Sequence, residues 1–169
     1  MHAQERQELE FIRSYFKEKE PIVYTDKIDV AEYVYNLFVD ICKKDTLRTY
    51  KHEARLVLAK HEKDFILAEA SKIKEKSFDG NLLKKSTLIP RSKLSEIFKG
   101  KINGWQKFTK EYNGGFYSFS KPIFIRNETL CIFYVDYACG NLCGNTEIAV
   151  YKKIKDTWTE WFVLYQAVS

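Results

Sequence analysis

Apolar residues fall at every second position over much of the last third of the chain. Residues 131–138 alternate in this way, and Asp136 marks the wetter side of that segment. Residues 146–155 alternate too, with lysines on one side, whereas residues 158–168 are aromatic or β-branched on both sides. A period of two is that of a half-buried strand, and a run that is apolar on both sides is typical of a strand covered twice. The pattern predicts three consecutive antiparallel strands, the last of them the most deeply buried.

Helical spacing dominates the first half. It predicts helices over residues 4–19, from Asp29 to about residue 42, over residues 46–74 and over residues 93–99. Asp29 and Glu32 have the spacing of a capping box, and Ser92 is expected to cap the fourth helix. Residues 22–24 and 87–89 are candidate short strands. Residues 116–125 predict a further strand that is bulged or lies at an edge, because Pro122 cannot donate to a ladder.

These elements predict an α+β fold in which N-terminal helices pack on a C-terminal antiparallel β-meander of about four strands. With 169 residues and 45% hydrophobic content, the chain is expected to form a single domain, residues 1–169. Its helical part would span about residues 4–99, and its sheet about residues 116–168. No stretch of about 18 apolar residues is present, so no membrane span is predicted.

The charge pattern argues against a nucleic-acid partner. The net charge of +5 comes from 28 basic and 23 acidic residues that are mixed along the chain. A nucleic-acid interface needs a concentrated basic face, and this pattern predicts none.

Two cysteines lie in the loop between the first two predicted strands. Gly140, Asn141, Gly144 and Asn145 favour a turn there because they accept positive φ readily. Cys139 and Cys143 are close enough in sequence to form a disulfide across it. Two unlinked turn cysteines, or a metal or redox role, remain open at this point. Cys42 falls on the apolar stripe of the second predicted helix, where a buried thiol is expected.

No catalytic or metal-binding constellation is readable. His52-Glu53 and His61-Glu62 lack the second histidine four residues on that a helical zinc site requires. We therefore predict no metal, no cofactor and no catalytic residue, and we favour a non-enzymatic protein without excluding an enzyme. Tyr134, Asp136, Glu147 and Tyr151 are the candidates to line a pocket or a binding surface.

The N-terminus is compatible with two locations. Residues 4–19 read as a charged helix, so these residues are not a secretory signal. Ala3-Gln4 would equally suit the start of a protein from which a signal peptide has been removed. A periplasmic or cell-envelope protein, with a lipid anchor in its precursor as one route, and a cytoplasmic protein both remain open.

Spaced aromatics and glycines from Ile97 onward resemble a known type of protein. The segments that carry the resemblance are Ile97-Phe98, residues 104–108, Tyr112, residues 118–124, Phe133-Tyr134, residues 139–144, residues 151–153, Trp158 and Val168-Ser169. They are similar to a family of small uncharacterised bacterial proteins, many of them exported or lipid-anchored. The resemblance implies an extracytoplasmic location, which strengthens the disulfide hypothesis. It transfers no functional residue. This chain also departs from it, because Val168 stands where many members have tryptophan.

Two functional hypotheses follow. The first is a non-enzymatic binding or interaction domain of an exported bacterial protein, with another protein as partner, because tyrosine and tryptophan are enriched at interfaces. The alternative is a small-molecule-binding or enzymatic domain with a pocket between the helices and a curved sheet. The sequence does not indicate an oligomeric state.

Overall fold

The computed structural model describes residues 3–49, 54–75, 77–100 and 103–169. Within these ranges the chain forms five helices, namely α1 Ala3–Phe16, α2 Ala31–Cys42, α3 Lys60–Ser71, α4 Arg91–Phe98 and α5 Gly104–Tyr112. Over the same ranges the strands are β1 Val23–Thr25, β2 Thr46–Arg48, β3 Arg55–Val57, β4 Thr87–Ile89, β5 Phe116–Phe119, β6 Ile123–Ile125, β7 Leu130–Gly140, β8 Cys143–Ile154 and β9 Thr157–Val168. The predicted α+β class is confirmed.

Seven of the described strands form one mixed sheet. Its order is β4-β1-β5-β7-β8-β9, and β6 also pairs with β7. β1 runs parallel to β4 and β5, while the neighbours from β5 to β9 are antiparallel. The predicted meander exists as β7-β8-β9, but the prediction of a four-stranded sheet that follows the helices is wrong. The sheet also contains β1 and β4, which lie in the part of the chain that was expected to be helical.

Both faces of the sheet are covered. Ile132, Tyr134, Ile148 and Val150 pack under α2, α3 and the β2-β3 hairpin, and we call this side the α2 face. The opposite side, the α1 face, packs under α1 and the segment around Leu83. Its central residues are Cys131, Phe133, Val135, Ala149 and Tyr151. A third cluster joins α4 and α5 to β4 and to Phe116 of β5.

Aromatic contacts fix α1 on its face. The Phe11 ring lies 5.0 Å from Phe133, 5.2 Å from Tyr151 and 5.4 Å from Trp158, measured between centroids, with edge-to-face geometry each time. Edge-to-face pairs add about 0.5–1.5 kcal/mol each beyond the area that they bury. The position of α1 therefore depends strongly on this one side chain.

The predicted helix over residues 46–74 is wrong in its first half. Thr46–Arg48 and Arg55–Val57 form a hairpin, and the helix begins only at Lys60. These segments form strands because their polar and apolar residues alternate: Leu47 and Leu56 are buried, while the residues on either side of each are more exposed. His52 lies outside the described residues.

Two further helix starts differ from the prediction, and a third helix has a cap that was not predicted. α2 begins at Ala31 without a side-chain cap, so the Asp29 capping box is wrong. α4 begins directly after Pro90 rather than at a Ser92 cap. At α3 the Glu62 carboxylate accepts a hydrogen bond of 2.9 Å from the Ala59 backbone N–H, which is half of a capping box.

The burial predicted for the last strand is wrong as well. β9 lies at the edge of the sheet, and Phe162 is its one buried residue. The deepest burial belongs to β7 and β8, because both have a strand on either side and helices above and below.

Pro122 interrupts a strand, as its chemistry requires. β5 ends at Phe119 and β6 begins at Ile123, and both pair with β7. In the gap, the Ser120 backbone N–H donates to the Tyr134 carbonyl, and the Tyr134 N–H donates to the Ser120 hydroxyl. The expected irregularity is confirmed. β5 has β1 as its outer neighbour, whereas β6 pairs with β7 alone among the described strands and is an edge strand.

We expect Gly115→Ala to destabilise the fold by about 1–3 kcal/mol, the usual effect of overpacking. A Cβ at this buried position would overlap the Ala138 carbonyl oxygen and lie 2.9 Å from the Cα of Cys139. Urea denaturation of both proteins measures the change. Gly80→Ala is the matched control, since nothing lies within 4 Å of its added Cβ. Equal midpoints for the two variants would contradict the expectation.

Glu62 predicts a pH-dependent contribution to stability. The Arg126 guanidinium donates to its carboxylate at 2.9 Å, and this contact holds the pKa of Glu62 below its usual range. Because the pKa of Glu62 is lower in the folded than in the unfolded protein, its ionised form stabilises the fold. This contribution is fully present above the unfolded pKa of about 4.3 and is lost as the pH falls through the lower folded pKa. Denaturation across pH 3–7 should therefore show Glu62→Gln to be less stable near neutrality, with the difference shrinking in acid. The exposed Glu96→Gln is the control, and a pH-independent difference at Glu62 would be inconsistent with this assignment.

Candidate functional site

The four candidate surface residues lie on opposite faces of the sheet. Tyr134 and Asp136 project onto the α2 face, whereas Glu147 and Tyr151 project onto the α1 face. The register decides this, since Tyr134 is opposite Ile148 while Glu147 is opposite Val135. The structure therefore forms two separate groups and no single pocket lined by all four.

The loop between β7 and β8 is closed by a disulfide. Cys139 and Cys143 are bonded, and Cys139 sits at an irregularity in the β7-β8 register. Cys42 and Cys131 are buried and unbonded. Burial raises the pKa of both thiols, well above the usual range at Cys131. Protonated, buried thiols are poor nucleophiles, so neither favours thiol chemistry.

On the α2 face, Asp136 occupies a gap between two helical layers. Its neighbours across the sheet are Ser118 on β5 and Thr146 on β8. On one side Phe116 packs under α5, and on the other Tyr134 packs with α2. The Thr146 hydroxyl donates to the Asp136 carboxylate. Burial is the main influence on this carboxyl group and raises its pKa, and the Thr146 hydrogen bond opposes that shift.

Three tyrosines lie together on this face, and one of them, Tyr134, is close to the Asp136 carboxylate. Tyr33 of α2 is 49% exposed, and its hydroxyl lies 2.7 Å from that of Tyr165 on β9. Tyr134 lies beneath them, where burial raises its pKa, and the nearby Asp136, Tyr33 and Tyr165 add to the rise. We call Tyr33, Tyr134, Asp136, Thr146 and Tyr165 the tyrosine–aspartate site.

On the α1 face, Glu147 and Tyr151 meet residues that follow or belong to α1. The Lys19 ammonium lies 4.0 Å above the centroid of the Tyr15 ring. Burial raises the pKa of Glu147, Glu160 on β9 raises it further, and Lys19 opposes both. This face therefore holds tyrosines and carboxylates together with a cation from the chain itself.

The group around Glu147 has Lys19 as a nearby cation, whereas the group around Asp136 has no ion-pair partner in the described part of the chain. Within the described residues, no lysine, arginine or histidine forms an ion pair with Asp136. A half-buried carboxylate without a counter-ion is costly, so a cation supplied from outside would stabilise it.

Surface recesses lie elsewhere. Open recesses of about 400–550 Å³ lie beside α5, α1, α2 and the segment around Lys84, and a small recess of about 20 Å³ adjoins Phe119. Tyr134, Asp136, Glu147 and Tyr151 line none of these five.

Neither a metal cluster nor a membrane helix emerges from the part of the chain that the structure describes. Its residues contain no group of three or more histidine, cysteine, aspartate or glutamate side chains arranged to hold a metal ion. None of its helices is long and apolar enough to cross a bilayer. No family model, curated protein or solved structure shows significant similarity to the chain.

Sequence reasoning missed the partners of the candidate residues. Tyr33 and Lys19 reach the sheet from outside it, and no periodicity in their own segments marks them as site residues. The position of Tyr165 in the sheet could be predicted, because it lies in the predicted third strand; the structure places it opposite Ile148.

We expect Asp136→Asn to stabilise the fold near neutral pH. A carboxyl group whose folded pKa is raised destabilises the native state once it ionises, and this effect vanishes below the unfolded value of about 3.9. Thermal denaturation at several pH values should show the variant more stable above the folded pKa and equal to the parent in strong acid. Asp64→Asn, at an exposed position on α3, is the control. A loss of stability at neutral pH would contradict the expectation.

Proposed function

We propose that this protein is a non-enzymatic binding module that recognises a lysine or arginine side chain of a protein partner at the tyrosine–aspartate site. The observation that carries the proposal is Asp136, a half-buried carboxylate close to Tyr134 that has no ion-pair partner among the described residues. A functional group kept at a cost to stability is typical of a binding site.

The surroundings suit a cation. Aromatic faces attract ammonium and guanidinium groups by about 0.5–1 kcal/mol when exposed, and by about 2 kcal/mol when desolvated. Tyr33 offers an exposed ring, and its hydroxyl contact with Tyr165 ties α2 to the edge strand. Lys19 on the opposite face provides an internal precedent, because there a cation already lies over a tyrosine ring beside carboxylates.

We further propose that the protein works outside the cytoplasm, in the periplasm or cell envelope of a bacterium. The Cys139–Cys143 disulfide supports this location, since disulfides persist in oxidising compartments. The resemblance to exported bacterial proteins that the sequence predicts over residues 97–169 would imply the same location.

The binding proposal predicts a charge-dependent interaction at Asp136. A capped Gly-Lys-Gly peptide should cause saturable NMR shifts at Thr146 and Tyr165, and Asp136→Asn should weaken its binding at least about fivefold, which corresponds to about 1 kcal/mol. The same peptide with an acetylated lysine lacks the charge and should not bind.

Two results would count against this function. One is the absence of shifts at millimolar peptide, and the other is equal binding of the charged and acetylated peptides. Glu96→Gln, which alters an exposed carboxylate on α4, controls for a general effect of charge and should bind the peptide like the parent.

A further inference from the structure

Four cations line one recess at the end of α1. The recess has a volume of about 550 Å³ and lies between two walls. Arg13 in the last turn of α1 and Lys17 just after it belong to the first wall, and Lys84 and Lys85 in the turn before β4 belong to the second. The two pairs are distant in sequence, so the fold gathers cations that are scattered along the chain. We call these four residues and the space between them the basic recess.

Hydrogen bonds from Arg13 join the two walls. Its Nε donates to the Leu82 carbonyl at 3.1 Å, and its Nη2 donates to the Asn81 carbonyl at 3.4 Å. Leu82 is buried and packs with α1 in the core of the α1 face. A guanidinium has five N–H groups, so three remain for a ligand after these two bonds.

The turn that carries Lys84 and Lys85 is anchored as well. The Ser86 hydroxyl accepts a hydrogen bond of 3.1 Å from the Ile22 backbone N–H, and the Ser86 N–H donates to the Leu83 carbonyl at 3.2 Å. Both walls are therefore held by the fold, and the four cations reach solvent from fixed backbone positions.

The chain supplies little negative charge to this recess. Among the described residues, Glu20 is the one carboxylate that lines it. The four cations form no ion pair with any described residue, and Glu10, one turn before Arg13, is paired with Arg6. Like charges around one recess repel each other, so an anion supplied from outside would relieve that repulsion.

The helix dipole explains half of the cluster. The carboxyl end of a helix favours cations, which accounts for Arg13 and Lys17. Lys84 and Lys85 belong to a turn, so no helix dipole draws them to this place. Their position across the recess from Arg13 is what makes it a site for an anion.

We propose that the basic recess binds an anionic group that carries two or more phosphates. Lysine pairs with phosphate oxygens as a point charge, and the fork of Arg13 adds directed donors. A single phosphate monoester brings a charge of about −1.5 to −2 at neutral pH, which is less than four cations against one carboxylate can balance. The recess, at about 550 Å³, also has room for more than one phosphate group.

Calorimetric titration of the full chain with tripolyphosphate at physiological salt tests the binding. We expect saturable binding, with NMR shifts at the backbone amides of both Lys17 and Lys84. Lys84→Gln should weaken binding at least about threefold, and Lys84→Gln/Lys85→Gln at least about tenfold, because each removes positive charge beside the ligand. Glu20→Gln should strengthen binding, because it removes the one described carboxylate of the recess.

Two exposed residues provide matched controls. Lys44→Gln removes a lysine just after α2, on the opposite side of the sheet, and Glu96→Gln removes a carboxylate on α4. Both should bind tripolyphosphate like the parent. The double-lysine variant should bind the capped lysine peptide normally, since the tyrosine–aspartate site lies on the α2 face, so each proposal can fail without the other.

Sedimentation with phosphatidylcholine vesicles, with and without cardiolipin, separates two sources of phosphate. Retention that needs cardiolipin and is lost in the double-lysine variant would identify a lipid headgroup, whereas binding of tripolyphosphate without retention would identify a soluble ligand. The proposal is overturned if neither binds, or if citrate binds as tightly as tripolyphosphate. It is also overturned if Lys44→Gln weakens binding as much as Lys84→Gln.

Discussion

Two-sided burial of the β7-β8 pair is the constraint on which the rest of the structure depends. Ile132, Tyr134 and Ile148 on the α2 face and Phe133 on the α1 face are all at most 1% exposed. Each such side chain contributes about 1.5–3 kcal/mol when it leaves water, so both faces must be covered. The covering elements are shorter than the strands. β7 has 11 residues and extends about 36 Å, whereas α1 has 14 residues and extends about 21 Å. The last five residues of β7 are only half-buried, so polar groups are tolerated on both faces at this end.

The sequence predicted the strands of this pair better than their surroundings. Alternation in residues 131–138 and 146–155 and the turn chemistry around Gly140 located β7 and β8 correctly. Alternation reports which residues share a side but not what covers that side. Asp136 seemed to mark a wet face, yet Tyr134 and Ile132 on the same face are buried under α2. β1 and β4 escaped a firm prediction because strands of three residues are too short to show a period, and their partners are distant in sequence.

A single extra residue in β7 determines which candidate side chains share a face of the sheet. Gly140 pairs with Cys143, and continuing that register along the hairpin would set Asp136 opposite Glu147 on one face. Instead Ala138 pairs with Gly144, because Cys139 is an extra residue in β7. A shift of one residue moves a side chain to the opposite face, so the bulge separates Asp136 from Glu147. Nothing in the glycine-rich loop sequence specifies such a bulge, and the two halves of the predicted site therefore could not be assigned to different faces in advance.

The disulfide gives that bulge a physical anchor. Cys139 is both the bulged residue and one end of the bond to Cys143, at the end of the sheet that extends beyond α1 and α2. In chain-entropy terms, closing a five-residue loop contributes about 2 kcal/mol, which is substantial where helix packing contributes little. Ser169 adds a second tie by exchanging backbone hydrogen bonds with Gly144. Holding this end in one register keeps Asp136 beside Tyr134 and Thr146, and keeps Glu147 beside Tyr151 and Lys19. The bond therefore helps to hold two chemically distinct groups of side chains on opposite faces of the sheet.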